Sequence, residues 1–365
     1  MQRSISAAPW LVTLAFSCIL QVRGAEAVTE RPAPMHTAGR FEVDDSGTAT
    51  YTVPLVVPPG TAGMQPSLSL VYSGRSGNGM LGVGWALSGL SVIHRCPATL
   101  AQDGFIDSVD FDSSDRLCLD GQRLMLESGS GYGANGAEHR TERESFTKVI
   151  SYGTVGVGPS YFRAWTKAGL MMEYGGTADS KIEAQGKTSI RVWALNRIED
   201  TEGNAITVSY NEDSTNGQYT PARIDFPPGL SVQFEYETIS VAPLLYVGGS
   251  LVKNYSRVKT IRTYTGATLV YEYRLQYQTS ASTQRSQLTT ITECGAGTTC
   301  LPPTSVAWVT FLNNTFPSGE STSNPAGQDS NLNNRAPLFA DFNGDGLTDV
   351  FWERKNNDSG KTTYD

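Results

Sequence analysis

The sequence predicts an all-β protein, and three observations carry the prediction. Apolar and polar residues alternate with period two through segment after segment, turn signals punctuate those segments, and no stretch of eight or more residues keeps a helical apolar period. The 37 glycines, 18 prolines and 16 tyrosines among 365 residues favour the same class, since hairpins consume the first two and half-buried pleated surfaces suit the third. At 39% hydrophobic content the chain can build one large or two to three smaller ordered units. Lys plus Arg number 28 against 36 Asp plus Glu, a formal net charge of -8. The charges are dispersed, so no basic face exists for nucleic acid or an anionic membrane surface.

Residues 1–27 read as an export signal. Arg3 supplies the positive start, Trp10 to Leu20 is an apolar run, and Ala25 to Ala27 offers small residues for cleavage. That run is too short to cross a bilayer, so the mature chain is expected to carry no transmembrane segment. Two other readings stand beside this one: a lipidation box at Cys18, which lacks its usual leucine, and a buried N-terminal strand. Residues 28–40 form an N-terminal extension.

A β domain is expected over 41–312. In "DRLCLDGQRLML", Asp120 and Gly121 make a two-residue connection that favours positive φ, which pairs Leu117 with Leu124 and sets Leu119 on the same face. Cys118 then points the other way, beside Arg123, so this strand should lie between two layers or beneath a covering loop. "VWALNRI" and "ITVSY" flank the turn cluster Glu199 to Asn204 and should form a hairpin, with Ile206, Val208 and Tyr210 on one face. "SVQFEYE" alternates through Val232, Phe234 and Tyr236. In "YEYRLQYQ", Tyr271, Tyr273, Leu275 and Tyr277 share one side while Glu272, Arg274, Gln276 and Gln278 share the other. "LPPTSVAWVTF" reads as a closing strand. Residues 313–335 are small and polar, a linker, and order resumes over 336–365.

With Cys18 in the signal, Cys96, Cys118, Cys294 and Cys300 remain. An even count in an exported chain implies two disulfides with three connectivities; the local pairing, Cys96 with Cys118 and Cys294 with Cys300, is expected because each pair brackets a short loop. Neither spacing is C-x-x-C and the three histidines are scattered, which leaves zinc or thioredoxin-like chemistry without support. Gly77, Gly79 and Gly82 satisfy G-x-G-x-x-G, but no strand-to-helix handover follows, so close backbone passage around a buried Trp85 is the better reading than nucleotide binding. The E-x-E pairs Glu142/Glu144 and Glu235/Glu237 put two carboxylates on one side of a strand, as some transferases and hydrolases do. For the second pair Phe234 and Tyr236 occupy the other side, which favours a solvated face. No G-x-S-x-G occurs, and no catalytic residue is nominated.

The segment "YTVPLVVPPGTAGMQPSLSLVYSGRSGNGMLGVGWALSGLSVIHRC" resembles the opening of the N-terminal domain shared by the Salmonella plasmid virulence protein SpvB and the TcdB-type B component of insecticidal toxin complexes. The likeness continues through "DRLCLDGQRLML", "YFRAWTKAGLMMEYG", "VWALNRIEDTEGNAITVSY" and "RSQLTTITEC", from about Phe41 to Phe311. The resemblance implies an antiparallel β-sheet-rich scaffold module. It also implies a following propeller of integrin-like repeats and tyrosine–aspartate (Rhs-related) arrays that wrap a toxic cargo. The chain stops just inside the first of those later parts, so a fragment of a longer protein and a short relative are both open readings.

Near the C-terminus, "DFNGDGLTDVFW" spaces Asp341, Asn343 and Asp345 as positions one, three and five of an oxygen-ligand loop. Gly346 permits the sharp turn, Leu347 offers its carbonyl, and Asp349 takes position nine. A hard cation draws together carboxylates that would otherwise repel one another. Trp352 stands where an EF-hand needs its bidentate glutamate. The loop is instead similar to the calcium loops of FG-GAP (VCBS-like) propeller repeats, and residues 336–365 are expected to be one incomplete repeat with structural Ca²⁺. The expected function is therefore a non-catalytic scaffold module of a secreted or cell-surface toxin-complex-like virulence protein. Its partners would be proteins: toxin-complex components or further shell and propeller repeats. The resemblance to SpvB keeps one alternative open, an ADP-ribosyltransferase acting in host cytoplasm.

Overall fold

The computed structural model describes residues 35–239, 244–247, 250–296 and 299–308, together with the strand segments 338–340, 349–351, 353–355 and 362–364. The expected export signal, residues 1–27, and the expected linker, residues 313–335, fall outside the described residues. At 53% strand and 4% helix the protein is all-β. It divides into two compact units, Met1–Val309 and Thr310–Asp365.

The first unit opens with a four-stranded antiparallel meander, β1 (Arg40–Val43), β2 (Ala49–Pro54), β3 (Ser69–Ser73) and β4 (Trp85–Ser88). Next come β5 (Val92–Cys96), β6 (Arg116–Leu119), β7 (Gln122–Ser128), β8 (Glu138–Thr141), β9 (Lys148–Tyr152), β10 (Tyr161–Trp165) and β11 (Met171–Tyr174). These seven pair in sequence order, and β13 (Ile190–Glu199) then pairs with both β5 and β11, closing an eight-stranded barrel. The short β12 (Lys181–Glu183) also pairs with β13.

Inward-facing side chains fill most of the barrel, whose eight strands enclose a space just wide enough for side chains or one small ligand. Ile93, Leu117, Leu124, Val149, Phe162 and Trp193 are buried there, and the Phe162 and Trp193 rings meet edge to face at 5.1 Å. Each such side chain contributes roughly 1.5–3 kcal/mol on burial. The Asp120–Gly121 turn has φ of 48° and 79°, and Cys118 pairs with Arg123, the register the hairpin reading requires. Cys118 lies on the outer face. There residues 97–107, including a short helix Leu100–Asp103, cover the barrel wall.

From β13 the sheet continues through β14 (Ala205–Asp213), β15 (Gln218–Phe226), β16 (Leu230–Thr238), β17 (Ser256–Thr265), β18 (Thr268–Thr279), β19 (Ser286–Gly295) and β20 (Thr304–Ser305), all antiparallel. The expected β13–β14 hairpin is present, with Ile198 opposite Ile206. One face of this sheet packs on the opening meander. Val53, Leu70 and Trp85 share a core with Ile206, Val208, Ile224, Val232 and Tyr273, and the Tyr273 hydroxyl accepts from Val56 N at 2.9 Å. Trp308 closes the last edge by donating from Nε1 to the Leu288 carbonyl.

One residue departs from the alternation. Glu272, expected on the solvent side, is 4% exposed because Arg262 and Arg274 both close over it. The closed barrel itself was not an expectation of the sequence. In the second unit, Leu338–Ala340 pairs with Asp349–Phe351 and Glu353–Lys355 with Thr362–Tyr364.

Candidate functional site

Two disulfides cross-link the first unit, Cys96–Cys118 and Cys294–Cys300, and both are local. The first joins neighbouring strands β5 and β6 on the outer barrel face. Beside it the covering loop carries a buried carboxylate, Asp103, that accepts from Arg116 Nε at 2.6 Å and from Arg123 Nη2. Burial alone would raise the Asp103 pKa, but the Thr99 N–H and the two guanidinium groups hold it below the usual carboxylate value.

The barrel interior has its own charged group. Arg95 shares the inward face with Ile93, and its guanidinium lies between the rings of Phe111 and Trp193, 5.8 Å from each centroid. It donates to Asp115 Oδ2 at 2.7 Å, to the Ile190 carbonyl at 2.7 Å, to the Asp112 carbonyl at 3.2 Å, and to the Val157 carbonyl. Asp115 also accepts from the backbone N–H groups of Asp110 and Phe111. This one side chain therefore ties three separate segments to the barrel end. A cavity of about 180 Å³ beside it is lined by Arg95, Asp112, Asp115, Tyr132 and Val157.

Asp110, Asp112 and Asp115 bring carboxylate oxygens within 4.8 Å of one another. Their spacing, D-x-D-x-x-D in "DFDSSD", is the signal of this group in the sequence. Asp115 is committed to Arg95, and Asp112 accepts from the Ser114 hydroxyl and N–H, the hydroxyl first among the causes that lower its pKa. The group braces a loop.

The motifs weighed as catalytic are occupied structurally. Glu235 pairs with Arg262 at 2.8 Å and Glu237 with Arg257 at 2.6 Å, while Glu142 accepts from Gln102 Nε2 and Glu144 from Phe146 N. In the glycine-rich segment no helix follows the G-x-G-x-x-G glycines. Gly82 has φ +84°, and a Cβ there would sit 2.5 Å from the Ser286 carbonyl oxygen, so the backbone passes against β19 beside buried Trp85. Asp341, Asn343, Asp345 and Leu347 lie outside the described residues. Asp349 begins a described strand, and its pairing with Ala340 brings the two ends of the loop together.

Residues 43–225 match the family model "Salmonella virulence plasmid 65kDa B protein", just over half of the chain. The chain belongs to the SpvB family. Solved structures carry the fold of an SpvB-family chain further. The crystal structure of TcdB2-TccC3 superposes with a TM-score of 0.66 at 17% identity, over 91% of this chain and 20% of that one. A Photorhabdus luminescens Tc holotoxin pore gives 0.61 at 18% identity, over 77% of this chain and 17% of that one. The N-terminal domain of effector protein SpvB from Salmonella typhimurium strain LT2 gives 0.54 at 16% identity, covering 67% of this chain and 99% of that one. At these identities the likeness is one of fold. The chain spans about a fifth of the length of the toxin-complex chain it superposes on with a TM-score of 0.66. No curated protein sequence is similar enough to match. Among the described residues no helix is long and apolar enough to cross a membrane.

Proposed function

We propose that this SpvB-family chain is a non-catalytic, shape-holding module of a secreted protein related to the B component of toxin complexes. The observation that carries the reading is a fold likeness to TcdB2-TccC3 extending over 91% of the chain. The chemistry of the buried charges supports it. Arg95, Asp103 and Asp115 each cross-link loops to the barrel, and the two E-x-E pairs are engaged by arginines or by local donors. Side chains committed in this way rigidify the fold, which supports a shape-holding reading.

The C-terminal loop from Asp341 to Asp349 serves the same end as a structural Ca²⁺ site, with Asp341, Asn343, Asp345, the Leu347 carbonyl and Asp349 as ligands. Antiparallel pairing of Leu338–Ala340 with Asp349–Phe351 supports this, because it closes the segment into the hairpin such a loop requires. The unit it holds is read as the start of an FG-GAP-like repeat. The partners are toxin-complex components or further shell repeats, and the site of action is outside the producing cell.

The test is a titration of the full chain with NAD, followed by a transfer assay on candidate host proteins. Neither heat nor transfer is expected. Turnover abolished by substituting one internal residue would overturn the reading in favour of an ADP-ribosyltransferase.

A further inference from the structure

Three arginines are buried among the described residues of the first unit, Arg95, Arg123 and Arg191, and two of them have carboxylate partners. Arg191 is 6% exposed and forms no ion pair among the described residues. Its Nη2 donates to the Gly217 carbonyl at 2.9 Å, and its Nε has no partner. A guanidinium keeps its proton in proteins, so a buried one without a counter-charge is unfavourable. The fold sustains that cost at a particular place, the wall of a second cavity.

The strand explains how Arg191 comes to point there. In the β12–β13 ladder Ile182 faces Val192 and Glu183 faces Ile190, so Arg191 is the extra residue of a β-bulge. A bulge re-aims the side chain it carries. The β14–β15 ladder carries a second bulge, where Ser209 faces Arg223 and Tyr210 faces Pro221. Tyr210 and Pro221 line the same cavity.

That cavity measures about 260 Å³. Met80, Leu90, Val92 and Val252 supply apolar walls, and Tyr210 and Tyr219 supply aromatic ones. Met80 and Leu90 are only half-buried, which leaves the mouth reachable from solvent. Arg191 and the half-buried Tyr219 line the same space; burial pushes the Tyr219 phenol up and the nearby guanidinium charge pulls against that rise. An apolar chamber with one buried, unneutralised guanidinium is the complement of an organic carboxylate.

We propose that the Arg191 cavity is a ligand site for a monocarboxylate with an apolar or aromatic body. The carboxylate takes the free Nε–H of Arg191, and the body lies against Met80, Val252 and Tyr219. The inference is independent of the shape-holding function, since a non-catalytic module can carry such a site.

The test is isothermal titration of the full chain with phenylacetate, with benzyl alcohol and acetate as probes lacking one half of the chemistry, and with a short glutamate-containing peptide. Saturable binding of phenylacetate, with benzyl alcohol and acetate weaker by roughly tenfold or more, supports a site for free small acids. Binding of the peptide alone, lost in Arg191→Met, supports the carboxylate chemistry and assigns its source to another polypeptide. Met80→Trp fills the chamber while keeping Arg191, and should abolish binding even if Arg191→Met does not fold. Absence of binding by any carboxylate probe, or binding unchanged in both variants, overturns the proposal.

Discussion

Arg95 Nη1 donates to Asp115 Oδ2 at 2.7 Å, with the two side chains 4% and 1% exposed. The pair is held by backbone groups on every side, so its worth lies in what happens when it is broken. Asp115→Ala leaves the guanidinium buried without its counter-charge and should cost about 3–5 kcal/mol. The double variant Arg95→Met/Asp115→Leu removes both charges and should recover much of that loss. Urea denaturation of the three proteins checks the order.

His139 is completely buried, with its ring edge-on to Tyr132 at 5.3 Å and its Nε2 accepting from Gly133 N. Burial lowers its pKa below the ordinary 6.5. The folded chain then holds the ring neutral while the unfolded chain protonates it, so the unfolded state binds more protons as pH falls through 6.5. Stability should decline by up to about 1.4 kcal/mol per pH unit in that window from this group alone. His139→Gln should flatten the decline, as followed by denaturation midpoints between pH 8 and pH 5, a range set by roughly one to two units around the ordinary histidine value.

The two disulfides should differ in value. Cys96 and Cys118 are 22 residues apart, whereas Cys294 and Cys300 are separated by six. Loop-closure entropy gives about 3 kcal/mol for the first and about 2 kcal/mol for the second. Paired cysteine-to-alanine variants compared in guanidinium melts should show the larger drop for Cys96/Cys118.

Gly82→Ala probes the glycine-rich segment. A methyl group there meets the Ser286 backbone at φ +84°, and the expected loss is about 1–3 kcal/mol. A nucleotide loop would instead tolerate the change in stability and lose ligand affinity. Thermal melts with and without NAD separate the two outcomes.

Calcium titration of the full chain should give a saturable site that Asp345→Ala removes, with a corresponding Ca²⁺-dependent gain in stability. Identical titrations for the two proteins would contradict the ligand set.

Much of the fold could be read in advance because it rests on local alternation. The Asp120–Gly121 turn fixes the register of its hairpin, and Tyr273, Leu275, Val232 and Phe234 face the core as their period-two spacing requires. Barrel closure could not be read this way. It depends on Leu195 and Ile198 meeting Tyr174 and Met172, a pairing of strand edges with no signature in either segment. Glu272 misled the alternation since its burial depends on two arginines from the same sheet, one of them on a neighbouring strand. Arg191 is not legible as a site for a related reason. An arginine in the run Ile190–Leu195 looks like an interruption, and the bulge that gives it purpose appears only when Lys181–Glu183 is laid alongside.

The strand Ile190–Glu199 is a party wall. It closes the barrel against Met171–Tyr174 and, over the same residues, starts the sheet that packs on the opening meander. Neither compartment can be demolished while the other keeps its wall intact. Calorimetry of the first unit should therefore record one endotherm for both compartments, and a cut inserted between Glu199 and Ala205 should weaken the two together.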